Sequence, residues 1–242
     1  MDQERPLTAH LDELRKRLIS SFVFFAVAAG ISFNYSSYFF QLLRRPLEGS
    51  VQKLVFFSPT EALAIYLNIS FAAGLAASMP FLLYQAWKFV EPAMTGRLRK
   101  GPALFVAAVT ASFAAGVLFS FFVLIPPALK FLLGFAGPDL LPMISAQSYI
   151  SFVVWTALGC GLVFEMPVLS YVLTRLGVID HRFLRGKYRY AIVAILITAA
   201  VITPTSDIFN MLMFAAPMLA LYELSIWVSL AAGRATQPHD DK

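Results

Sequence analysis

Residues 101–129 read GPALFVAAVTASFAAGVLFSFFVLIPPAL, twenty-nine positions without Asp, Glu, Lys or Arg. A helix crosses the ~30 Å hydrocarbon core of a bilayer with about 20 apolar residues at ~1.5 Å each. Within lipid only helices and closed barrels satisfy every backbone group. A continuous apolar run lacks the alternation of a barrel strand, so it predicts a spanning helix. Working outward, further uncharged stretches cover 18–43, 62–87, 140–164, 166–174, 190–206, 208–222 and 224–233. Glu165 and Glu223 each interrupt what is otherwise one apolar region. Merging across them gives six spans with cores at 18–36, 64–87, 102–125, 148–174, 189–203 and 209–229. The expected fold is an all-α polytopic membrane protein. Residues 1–233 form one six-span domain and 234–242 a disordered tail.

The composition agrees. The chain is 59% hydrophobic and 14% charged, against about 25% charged in soluble domains. Its 14 prolines and 13 glycines suit membrane helices, where both residues are more frequent than in soluble ones. The net charge of +5 comes from basic residues placed between apolar runs. They read as topology signals, and no aromatic-basic platform points to a nucleic-acid partner. Fifteen Lys and Arg fall on the side of the N-terminus and four on the other, so both termini are expected in the cytoplasm. Arg15-Lys16-Arg17 before the first run resembles the start of a cleavable signal, but the run is too long and lacks a cleavage site. It is expected to remain as a signal-anchor span. The last two spans are short: 190–206 has 17 uncharged residues, about 25 Å of helix, which predicts local bilayer thinning. Cys160 is the one cysteine and reads as packing.

No enzyme constellation is present. His10, His181 and His239 lie outside the spans. There is no His-Glu-x-x-His pair, no Gly-x-Ser-x-Gly elbow and no phosphate-binding loop. Neither catalysis, a metal nor a cofactor is expected. The informative residues are carboxylates and prolines. Glu165 and Glu223 lie within spans, where carboxylates are costly and face a cavity or a partner. Near the N-terminus, Thr8 can cap a helix on which His10, Glu13, Leu14 and Arg17 share one face. On spacing alone, Glu13 pairs with Arg17 for a few tenths of a kcal/mol.

His10-Leu11-Asp12-Glu13-Leu14-Arg15-Lys16-Arg17-Leu18 resembles the signature that precedes the first span in the TatC family of twin-arginine protein translocases. Further matches follow in order: Arg45-Pro46-Leu47, Ser58-Pro59-Thr60-Glu61, Tyr84-Gln85-x-Trp87-x-Phe89-x-x-Pro92-Ala93, Phe164-Glu165-x-Pro167, Thr203-Pro204 through Asp207, and Glu223. The resemblance implies a concave, cup-like bundle in the bacterial inner membrane. It implies a receptor for signal peptides that bear paired arginines on folded cargo. The implied partners are the small membrane subunits TatA and TatB, in a multimeric receptor complex driven by the proton-motive force.

By the same resemblance Glu13, with Arg17, would receive a signal arginine, and Phe89 would pack the peptide's apolar flank or anchor the interface. Pro46 would serve active assembly on the opposite side. A carboxylate suits arginine, whose planar fork lysine cannot reproduce. One departure stands out. The family's usual second acid after Pro-Ala is here Leu98, and the loop's one acid is Glu91, so the second arginine would use Glu91 or a backbone carbonyl. Glu165, two residues before the helix-kinking Pro167, either lines the cup and meets a partner helix or is a protonated acid hydrogen-bonded inside the bundle. Glu223 has the same two readings. Asp207 either contacts a partner or caps the sixth helix, and Met211 replaces a polar residue that the family uses toward TatA or TatB. The competing reading is a secondary transporter of a small solute or ion, but no internal repeat supports it.

Overall fold

The computed structural model describes residues 7–47, 54–90, 102–134, 143–203 and 207–234. The expected disordered tail therefore lies outside the described residues, except for Arg234. All regular elements among the described residues are helical, apart from one isolated bridge between Val55 and Ser145. Among the described residues the chain passes six times through the bundle. Five passes are long and apolar enough to span a membrane, and the sixth is the shorter helix Tyr188–Ile202.

α1 (Leu7–Asn34) is longer than its expected core and absorbs the N-terminal signature. It breaks at Tyr35, and the chain turns into α2 (Ser36–Arg44) and a single 3₁₀ turn, Arg45–Leu47. Phe39, Phe40 and Leu43 on α2 pack inward, while Tyr38 is exposed. The uncharged run 18–43 thus supplies one span and one helix lying against its far end. α3 (Pro59–Val90) carries Pro80 in its interior. The third pass is α4 (Pro102–Phe119), a π-helical turn at Ser120–Leu124 and α5 (Ile125–Gly134). Pro126 and Pro127 lack the N–H groups that would continue the ladder, and the wide turn just before them absorbs the mismatch.

α6 (Ala146–Phe164) and α7 (Met166–Arg175) form one pass kinked at Glu165. Ser145 caps α6 by accepting from the Ser148 amide at 3.3 Å. α7 ends in a Schellman motif: Gly177 adopts φ +72°, its amide donates to Thr174, and the Val178 amide donates to Leu173. Glycine makes that left-handed turn without strain. The short α8 (His181–Gly186), capped by Asp180, leads into α9 (Tyr188–Ile202). α9 has 15 residues, about 22 Å of helix, as expected for a short span.

α10 (Ile208–Arg234) corrects the companion expectation. It has 27 residues, about 40 Å of helix, and is not short. The helix runs through Glu223, as the merged span expects, and continues past residue 229 to Arg234.

The core lies away from the N-terminus. Ile69, Ile125, Ile150, Val153, Ala199 and Phe214, each at most 1% exposed, join α3, α5, α6, α9 and α10 there. The most extensive helix pairings are α1 on α3, α7 on α10 and α4 on α6. The bundle is the all-α polytopic fold expected. Two of the pairs depend on close backbone approach: a Cβ on Gly74 would lie 2.5 Å from the Cα of Ala29, and one on Gly116 2.7 Å from the carbonyl oxygen of Cys160. Small residues at such crossings are how membrane helices gain van der Waals contact in a solvent as apolar as themselves.

Candidate functional site

The N-terminal end of α1 meets the C-terminal end of α3 through one arginine. Arg17 sits one turn after Glu13, and its Nε donates to Glu13 Oε1 at 3.1 Å while Nη2 donates to the same oxygen. The fork then reaches across to α3: Nη1 donates to Gln85 Oε1 at 3.1 Å and Nη2 to the carbonyl of Lys88 at 3.3 Å. Gln85 completes the tie by donating to Ser20 at 3.3 Å. The last carbonyls of a helix carry its negative pole and lack intrahelical donors, so a guanidinium at that end is doubly favourable. Glu13 and Arg17 are 25% and 19% exposed. The pair is thus held in the mouth, open on one side, rather than sealed in the bundle. Phe89, half-buried, ends the same turn of α3. Trp87 is buried and packs against Phe105 of α4, ring centroids 4.2 Å apart and the planes tilted by 33°. Glu91 and Leu98, the two positions that bear on a second arginine contact, lie outside the described residues.

Glu165 is the second locus. It is 5% exposed, at the corner where α6 becomes α7. Pro167 cannot donate to the ladder, and the corner is held from α4, where Ser112 donates to the Phe164 carbonyl at 2.6 Å. The carboxylate faces a cavity of about 240 Å³ lined by Met79, Leu83, Trp87, Val109 and Leu169. Neither oxygen makes a well-formed hydrogen bond among the described residues, although the Phe113 backbone is close enough to act on it electrostatically. The indole N–H of Trp87, on the same cavity, is also without an acceptor among the described residues. The kink turns the carboxyl toward an apolar cavity, with the Phe113 backbone of α4 as its near polar neighbour.

The remaining positions separate. Glu223 is 42% exposed and lies 3.9 Å from Arg185 on α8. It is not a buried acid, because α10 carries it out to the level of the basic loop. Asp207 caps α10, accepting from the Asn210 amide at 2.6 Å and from the Asn210 side chain at 2.9 Å. Met211 packs partly buried against the core. Pro46 is half-buried in the 3₁₀ turn on the far side, beside the buried Leu47. Gln85 and Ser20 were missed as site residues by the sequence reading. The signal available was Gln85's place one turn before Phe89 in the quoted motif, but nothing in the sequence reveals which helix it faces.

Six helical passes, five of them long and apolar enough to cross a bilayer, with polar groups at one mouth and at one buried kink, define a polytopic membrane protein. The family described as Sec-independent protein translocase protein (TatC) matches residues 9–217. The TatC protein of Aquifex aeolicus is 40% identical over 233 residues, covering 95% of this chain and 96% of its own. That of Carboxydothermus hydrogenoformans is 38% identical over 229 residues, covering 94% of each. A crystal structure of the twin-arginine translocase receptor TatC superposes with a TM-score of 0.84 at 38% identity, covering 92% of this chain and 99% of that one. This chain belongs to the TatC family. It is a multi-pass membrane component of a protein translocase.

Proposed function

We propose that this chain is the signal-reading receptor of a twin-arginine translocase in a bacterial inner membrane. It would bind paired-arginine signal peptides of folded cargo at the N-terminal mouth. The observation that carries this reading is the Glu13 carboxylate, partly open on the cytoplasmic side and already oriented by a guanidinium fork that spans α1 and α3. A carboxylate held there accepts arginine in the geometry that Arg17 demonstrates, and lysine cannot match it. Phe89 would pack the apolar part of the peptide, and Glu91 would serve the second arginine more weakly. Glu165, Asp207, Met211, Glu223 and Pro46 would lie along surfaces offered to the groove or to the TatA and TatB subunits in a multimeric complex. The proton-motive force would drive transport.

Vesicles holding this chain with its small subunits test the reading. Folded cargo with an Arg-Arg signal should enter, and a proton ionophore should stop it. In binding, Glu13→Ala should weaken the signal peptide more than Glu91→Ala. Uptake indifferent to the ionophore would remove the energetic part of the proposal, and an equal or reversed ranking would remove the assignment of Glu13.

A further inference from the structure

The corner between α8 and α9 carries charge that the fold leaves unanswered. Residues 175–189 hold Arg175, Arg182, Arg185, Lys187 and Arg189 against one acid, Asp180. The Asp180 carboxylate is engaged in capping α8, accepting from the Phe183 amide at 2.6 Å. Arg185 has Glu223 at 3.9 Å, and Arg175 lies over the ring of Tyr171. Arg182, Lys187 and Arg189 are exposed, and among the described residues none meets a carboxylate at ion-pair distance. Two of these cations converge on one ring: Lys187 Nζ lies 5.3 Å and the Arg189 guanidinium 4.9 Å from the centroid of Tyr190. Lys187 is also 6.0 Å from the ring of Phe183. Both rings face outward, Phe183 51% and Tyr190 55% exposed.

The local chemistry is layered as the edge of a leaflet is. Aromatic rings favour the level of the headgroups, and long basic side chains reach past them toward phosphate. The corner sits at the start of α9, whose ~22 Å falls short of a ~30 Å hydrocarbon core. A helix that short draws its flanking residues into the interface instead of projecting them into water. An acidic protein segment would answer the charge but would leave unexplained two outward rings beside a helix too short to span.

We propose that the α8–α9 corner is a binding site for anionic phospholipids of the cytoplasmic leaflet. Arg182, Lys187 and Arg189 face the lipid phosphates, and Phe183 and Tyr190 lie among the glycerol and upper acyl carbons. Glu223 takes Arg185 out of the set, so three cations and not four grip the lipid.

The test is native mass spectrometry of the purified full-length chain titrated with phosphatidylglycerol against phosphatidylcholine. Wild type should retain phosphatidylglycerol preferentially. R182Q/K187Q/R189Q should lower that preference by about fivefold for each charge removed, the factor expected for a cation near an anionic surface. R185Q should lower it much less, and R182K/R189K should keep it. K187Q alone, with about a fivefold loss, carries the test should the triple variant fail to fold. An unchanged preference in R182Q/K187Q/R189Q, or in K187Q where it is used alone, would overturn the proposal. So would an equal loss in R44Q/K130Q, whose cations lie on the opposite side. Displacement of the lipid by inorganic phosphate or by an acidic peptide at equal concentration would overturn it too, by assigning the corner to a free anion or to a protein.

Discussion

Glu13 and Glu165 are both glutamates beside a helix-helix junction, and the fold treats them in opposite ways. Glu13 sits at the mouth, a quarter exposed, and meets a guanidinium that is itself tied to a second helix. Glu165 sits in the bundle at a kink, almost fully buried, before an apolar cavity and without a well-formed hydrogen bond among the described residues. The first arrangement is stable as it stands and specific by geometry. The second is destabilising in the isolated chain, because a buried polar group without a partner forfeits its solvation. The proposed role of Glu165 toward the groove or a partner would offset that cost, so substitution should separate stability from function at Glu165 and join them at Glu13.

The largest effect should come from Glu13→Ala. Truncating one member of a charge-paired contact costs about 2–5 kcal/mol, so signal-peptide affinity should fall by about 30-fold or more in a fluorescence titration. Next is Gly116→Val, placed beside Phe164 at the kink. Overpacking there should lower stability by about 3 kcal/mol, read as a lower unfolding midpoint in detergent. Glu165→Leu sharpens the comparison by moving two readouts apart. It should raise stability by about 1–3 kcal/mol while abolishing transport in vesicles, and loss of both would place Glu165 with the structural residues. Arg17→Lys should cost about 1 kcal/mol of stability, because an ammonium cannot hold Glu13, Gln85 and the Lys88 carbonyl in one plane. Glu223→Gln should change stability by less than about 1 kcal/mol, as its contact with Arg185 is open to water.

Much of this was legible in the sequence because bilayer length and local spacing are written along the chain. The uncharged runs located all six passes, and four-residue spacing paired Glu13 with Arg17. Asp207 was readable as a cap because a capping carboxylate acts within three residues. What escaped was set by contacts distant in sequence. Gln85 joins Arg17 across sixty-eight positions, and no periodicity reports that. Glu223 looked like a buried acid because its apolar neighbours share a helix with it, yet Arg185 draws it outward. α2 was hidden inside the first apolar run, since a helix that lies on the core and one that crosses lipid are both apolar where they touch. The length of α10 was underestimated because the span was placed over 209–229, while the helix continues through the apolar residues up to Arg234.

The most direct test of the central claim is the binding of fluorescent signal peptides to the purified chain, comparing Arg-Arg with Lys-Lys on wild type and on Glu13→Ala. The account predicts a clear preference for Arg-Arg on wild type and its loss in the variant. Equal binding of the two peptides, unchanged by the substitution, would contradict it.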